Sequence, residues 1–228
     1  MWTTLNNLCL NFEDNSKFIK PIKANFLIFY IEGFWQNHVL NNLRETLRPT
    51  LEKIGKGFAS TGISPNFWTV IGLLFAICAA VIYGMGIEYG LIIGGLLLLV
   101  SGFFDIVDGQ VARITGQISK KGGYLDSMFD KISETIIFLG ILVGGYAEPY
   151  LVLLAITLSL LVSYARAKSD SLNIKLQGVG IGERAERLLV IAIIGIFGLM
   201  EIAVIIVIII ATITLIQRMI FTAKHIKE

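Results

Sequence analysis

Residues 105–130 read DIVDGQVARITGQISKKGGYLDSMFD. Four aspartates, Asp105, Asp108, Asp126 and Asp130, stand at the facing ends of two long apolar runs. A charged group at bilayer depth costs about 2.5–3.5 kcal/mol even on the mildest scales, so acids beside such runs need partners. Divalent cations are the obvious ones. Asp105 and Asp108 are three apart and Asp126 and Asp130 four apart, which puts each pair on one helix face. The short connection predicts antiparallel neighbouring helices whose carboxylates converge at one depth. Hard oxygen ligands in such a group suit magnesium or manganese, above all where a phosphate adds further oxygens. Gly109 leaves room for a substrate group beside the acids. Arg113, about one turn on, is placed for a phosphate. The bland alternative, interfacial acids paired with Lys120, Lys121 and Lys131, suits a single aspartate better than it suits four.

The rest of the chain supplies the membrane. Of its 228 residues 55% are hydrophobic and 16% charged, well outside the soluble range, and the apolar residues fall in long blocks. A net charge of +2 leaves no electrostatic footprint for nucleic acid. Cys9 and Cys78 form no CxxC pair, so neither a disulfide framework nor a zinc site is supported. Cys78 lies inside an apolar run and reads as a small buried thiol. His38 and His225 are isolated, unlike metal ligands.

The predicted fold is all-α: a polytopic membrane protein with six transmembrane helices behind an amphipathic interfacial helix. Residues 1–38 hold no run long enough to span a bilayer and read as poorly ordered, lying at the interface or not native. Residues 39–60 form the juxtamembrane helix, with Leu40, Leu43, Leu47, Leu51, Ile54 and Phe58 on one face and basic residues on others. A plain bundle-packing helix fits the same pattern. Residues 61–228 hold the spans, expected at 67–85, 90–107 (continuing to 113), 124–144, 150–168, 187–199 and 202–221. Ser64 before Pro65 reads as an N-cap with proline at the first helical position. Lysines and arginines flank the spans on alternate sides, while the opposite loops carry only Glu88, Glu148 and Glu201. This pattern puts both termini and the aspartates in the cytoplasm.

The signature Asp105-x2-Asp108-Gly109-x2-Ala112-Arg113-x8-Gly122-x3-Asp126-x3-Asp130 resembles that of the CDP-alcohol phosphotransferase family. Ser64-Pro65-Asn66, Thr69 and the six-span layout are also similar, over about residues 39–228. The resemblance implies that an acceptor hydroxyl attacks the lipid-side phosphorus of a CDP-linked lipid and that CMP leaves. By the same resemblance, Asp105, Asp108, Asp126 and Asp130 hold two Mg2+ or Mn2+ ions, and Asp130 also acts as general base. Gly109, Ala112, Arg113, Asn66 and Thr69 would bind the CDP-lipid, whether CDP-archaeol or CDP-diacylglycerol. Such chemistry is sound: two metals neutralise a diphosphate and hold groups in line, and a carboxylate takes the proton. The family forms homodimers, and Gly94, Gly95, Gly140, Gly144 and Gly145 would allow close helix packing, between chains or within one.

The acceptor is read from Ser163-Tyr164-Ala165-Arg166-Ala167-Lys168 and Gly182-Glu183-Arg184-Ala185-Glu186-Arg187. Several cations near a metal-diphosphate site point to an acceptor that is itself a phosphate. Ordinary positive-inside anchors are the alternative for Lys168 and Lys175. The two motifs resemble the inositol-phosphate-using branch of the family, which includes phosphatidylinositol phosphate and archaetidylinositol phosphate synthases. Arg166, Arg184 and Arg187 are the expected acceptor-phosphate ligands, with Ser163 as a hydroxyl contact. Glycerol 3-phosphate is the second acceptor, and serine would give the arginines nothing to bind. A cation transporter would need acids near the bilayer midplane, whereas these lie at one edge.

Overall fold

A computed structural model describes residues 38–176 and 178–226, with side chains from residue 49 onward. The chain divides into two compact units, Met1–Asn41 and Asn42–Glu228. The expectations for residues 1–37 lie outside the described residues. All described regular structure is helical: α1 (His38–Ala59), α2 (Pro65–Gly84), α3 (Gly90–Ile114), α4 (Lys120–Val143), α5 (Pro149–Ser171), α6 (Arg184–Ile196) and α7 (Met200–His225).

The helix starts follow local chemistry. Pro65 and Pro149 open α2 and α5, their fixed φ suiting the first turn. Ser64 occupies the N-cap of α2, but its side chain makes no capping bond. Ser119 does cap: its Oγ accepts the Gly122 N–H at 3.0 Å. That cap starts α4 at Lys120 rather than at the expected 124. Helix α6 likewise begins at Arg184 instead of 187, which places Arg184 in a first turn. The expected break before the last helix is present, with Gly198 at φ +80°.

Six helices close a cycle of neighbours in the order α2, α3, α6, α7, α5, α4 and back to α2, and a small cross-contact joins α4 to α6. The core is built from residues such as Ala76, Tyr83, Phe138, Ile141, Ile191 and Val207, all fully buried. Added Cβ atoms at Gly140 and Gly144 would strike the backbone of Ala80 and Tyr83 on α2, and one at Gly94 would strike the Tyr83 ring. These glycines therefore serve packing within the chain. Cys78 is exposed on the outer face of α2, not buried as expected.

The aspartate-bearing helices do not pair along their length as the short connection predicted; α2 lies against both and is the principal neighbour of each. In α1, Leu51, Ile54 and Phe58 are half-buried while Lys53 and Lys56 are exposed. An added Cβ on Gly55 would meet Gln110 Cβ at 2.7 Å, and the Phe58 ring lies edge-on to Trp68 at 4.8 Å. The described half of α1 thus packs on α2 and α3. By length and composition α2, α3, α5 and α7 can cross a membrane. Helix α4 is interrupted by charge over its first half, and α6 has 13 residues, about 20 Å of helix, short of the apolar thickness of a bilayer.

Candidate active site

The site forms where α3 ends and α4 begins, beside the start of α2. Carboxylate oxygens of Asp105, Asp126 and Asp130 lie within 4.8 Å of one another. Asp108 sits one helical turn further on, 6% exposed, and its Oδ2 has no hydrogen-bond partner. A small cavity joins Asp105, Asp108 and Asp130 to Thr69 of α2. Ser101, one turn before Asp105, donates to the Gly72 carbonyl at 2.8 Å and fixes α3 on α2. Thr69 reaches the acids because α2 lies between the helices that carry them.

Helix α6 brings cations to the same place. Arg184 Nη1 donates to Asp105 Oδ1 at 3.0 Å and also pairs with Asp130. Arg187, 1% exposed, forms a bidentate pair with Glu134, Nε to Oε1 at 2.8 Å and Nη2 to Oε2 at 2.9 Å. Its Nη1 donates to the Gly182 carbonyl at 2.6 Å. Beyond the acids opens a groove of about 650 Å³, large enough for a small polar substrate, whose lining includes Asp105, Asp126 and Asp130 together with Lys131, Arg166, Arg184, Arg187 and Arg218.

All four residues expected at an acceptor site, Ser163, Arg166, Arg184 and Arg187, line this groove. Arg187 does so with three of its five N–H groups already bonded. Of the residues expected at the CDP-lipid, Thr69 lies beside the acids. Asn66 is exposed near the start of α4, its Oδ1 3.5 Å from where a Cβ on Gly122 would be. Gly109 has open space on its Cβ side, Ala112 is half-buried and Arg113 exposed, and none of the three lines the groove.

The structure adds residues that the motifs did not single out. Arg218 of α7, 2% exposed, donates to Val162 O at 2.9 Å and Val179 O at 3.1 Å and lines the groove, as does Lys131. Glu134 pairs with Arg187, and Thr214 Oγ1 accepts the Gly182 N–H at 2.9 Å. Arg218 carries a signal in the sequence, an ionisable residue inside an apolar helix, which marks a functional position by default; Glu134 follows Asp130 by four residues on the same helix face.

The donor set fits a divalent metal. Three convergent carboxylates supply hard oxygens, and the unpartnered, buried Asp108 Oδ2 beside them is a donor in want of a cation.

The chain is similar to known proteins in sequence and in fold. A protein-family model described as CDP-alcohol phosphatidyltransferase matches residues 62–223. Archaetidylinositol phosphate synthase of Pyrococcus horikoshii is 36% identical over 189 residues, spanning 83% of this chain and 99% of that protein. The archaetidylinositol phosphate synthase of Methanothermobacter thermautotrophicus is 37% identical over 195 residues, 83% of this chain and 96% of its own. Among solved structures, phosphatidylinositol phosphate synthase of Mycobacterium tuberculosis shares the fold at 23% identity. Its complex with manganese and citrate has a TM-score of 0.66, covering 76% of this chain and 88% of that one. The same protein with CDP-DAG bound has a TM-score of 0.65, covering 75% and 92%. The matched residues take in the aspartate stretch and the arginines of α6 and α7, and the chain belongs to the CDP-alcohol phosphatidyltransferase family.

Proposed function

We propose that this protein is an integral membrane transferase that moves a phosphatidyl-type group, diacylglycerol or archaeol phosphate, from a CDP-lipid to a hydroxyl of inositol phosphate. CMP is released, and the reaction serves phospholipid biosynthesis. The observation that carries the reading is the convergence of Asp105, Asp126 and Asp130 at the edge of a groove lined by Arg166, Arg184, Arg187 and Arg218. Acids suited to metal and cations suited to phosphate meet in one place. The synthase names of the archaeal relatives support inositol phosphate as the acceptor.

The residues divide the work. Asp105, Asp108, Asp126 and Asp130 are the proposed ligands of two Mg2+ or Mn2+ ions, which when bound neutralise the diphosphate and stabilise the leaving group. Asp130 faces the groove and takes the proton of the acceptor hydroxyl. The acceptor oxygen then bonds to the lipid-side phosphorus, and the phosphorus–oxygen bond to CMP breaks. Asn66, Thr69, Gly109, Ala112 and Arg113 bind the CDP part. Ser163, Arg166, Arg184 and Arg187 hold the acceptor, and Arg218 joins them from α7.

The proposed membrane arrangement has six spans, α2 to α7, with both termini and the site in the cytoplasm. Its support is the cycle of six neighbours together with the alternation of basic and acidic loops. A homodimer is the proposed assembly. It rests on the family resemblance alone, since Gly94, Gly140 and Gly144 are occupied by contacts within the chain.

An acceptor panel tests the reading. Purified protein is given CDP-archaeol or CDP-diacylglycerol, Mg2+ or Mn2+, and inositol phosphate, glycerol 3-phosphate or serine. CMP release with inositol phosphate alone is the expected result. Release with glycerol 3-phosphate or serine but not inositol phosphate overturns the acceptor assignment.

A further inference from the structure

We infer that Glu134 is a positioning residue for the acceptor: it holds the Arg187 guanidinium in the wall of the groove so that its two remaining N–H groups are available to an acceptor phosphate. The inference rests on the acceptor reading of the groove given above.

Glu134 is 3% exposed and Arg187 1% exposed. Burying two charges is costly, and such a pair is weak evidence for stability, because apolar residues of similar volume often serve as well or better. What the pair does supply is geometry. Both Glu134 oxygens accept from one edge of the guanidinium, at 2.8 and 2.9 Å, and a bidentate contact of this kind sets the plane of the fork. The Gly182 carbonyl accepts from Nη1 at 2.6 Å. The Gly182 N–H in turn donates to Thr214 Oγ1 at 2.9 Å. The guanidinium is therefore tied to α4 through Glu134 and to α7 through the backbone of Gly182.

The pair also works in register with the site. Asp130 and Glu134 lie four apart on α4, and Arg184 and Arg187 three apart on α6, so each set shares a face. Asp130 meets Arg184, and Glu134 meets Arg187. The two ion pairs are successive rungs between α4 and α6, and the second sets where the first, with the proposed base, can lie.

Glu134→Gln tests the inference, read as KM for inositol phosphate and for the CDP-lipid separately. The amide accepts on one side only and turns an NH2 toward Nη2, so the fork is lost while volume is kept. The expected result is a rise in KM for inositol phosphate on the order of tenfold to a hundredfold, the range for a lost hydrogen bond to a charged group, with KM for the CDP-lipid unmoved. Glu134→Asp keeps the charge and recovers most of the acceptor affinity. Should Glu134→Gln not accumulate in membranes, Thr214→Val loosens the same network from its far end and gives the same acceptor-selective rise. A parallel rise in both KM values with a lowered melting temperature, or no change in either, overturns the inference. Failure of the underlying reading shows instead in the wild type, as absence of CMP release with inositol phosphate.

Discussion

Replacing Gly182 with alanine strikes the backbone that Arg187 grips. An added Cβ would run into Ile210 Cγ2, lie 2.9 Å from Thr214 Oγ1 and 3.3 Å from the Ile210 carbonyl. Overpacking of this kind costs about 1–3 kcal/mol. The chain can relieve it only by lifting off α7, which breaks the 2.9 Å bond to Thr214 and strains the 2.6 Å bond from Arg187. The first is worth about 0.5–1.5 kcal/mol and the second about 1.5–3 kcal/mol. Relief trades one cost for the other, so the net loss is expected at about 2–4 kcal/mol rather than the full sum. Thermal unfolding of the purified protein in detergent reads this as a fall of about 4–16 °C in Tm. Ile210→Ala removes the methyl that the new Cβ strikes, and in that background the penalty shrinks by about 1 kcal/mol or more, a coupling typical of residues in contact. A Gly182→Ala protein that melts within about 1 °C of wild type, or whose loss is unchanged beside Ile210→Ala, refutes the close packing on α7.

Asp130→Asn is expected to lower kcat about 10²–10⁴-fold, the usual contribution of a general base, while Mn2+ binding followed by electron paramagnetic resonance persists through the other acids; normal turnover removes Asp130 from that assignment. Chelation with EDTA stops CMP release and added Mn2+ restores it, and Asp126→Ala weakens Mn2+ binding in the same resonance assay; turnover that persists in the chelator argues against a metal site. Gly140→Val drives side-chain carbon into the Ala80 backbone and is expected to cost about 3 kcal/mol or more. Gly84→Ala is its control, because its Cβ finds Val143 at an ordinary 3.7 Å and alanine suits a helix better than glycine; equal losses in the two would refute the close approach of α2 and α4.

Much of the site was legible in the sequence because its signal is local. Three- and four-residue spacings put Asp105, Asp108, Asp126 and Asp130 on helix faces before any tertiary contact is known. What spacing cannot carry is which helix lies next to which. The short connection between α3 and α4 predicted a direct pair, yet α2 lies against both, because Gly140 and Gly144 let α4 approach the α2 backbone closely. Thr69 gains its place beside the acids from that arrangement. The starts of α4 and α6 were misplaced for a simpler reason: a capping serine and a charged first turn look like loop when hydrophobicity is the guide. That Arg187 is already held is not legible in the sequence, since its partner Glu134 is 53 residues away in the chain.

The cycle of six helices has a consequence for how the protein is made. Its closure unites residues far apart in order of synthesis: 79 residues separate Asp105 of α3 from Arg184 of α6, and 56 separate Val162 of α5 from Arg218 of α7. The acids of α3 and α4 leave the ribosome well before either arginine exists. Until α6 is made Asp105 and Asp130 lack the partner they have in Arg184, and α7 comes last to seat the turn at Gly182. A nascent chain halted before residue 184 carries every proposed metal ligand, but neither the arginine pair of α6 nor the helix that locks it in position.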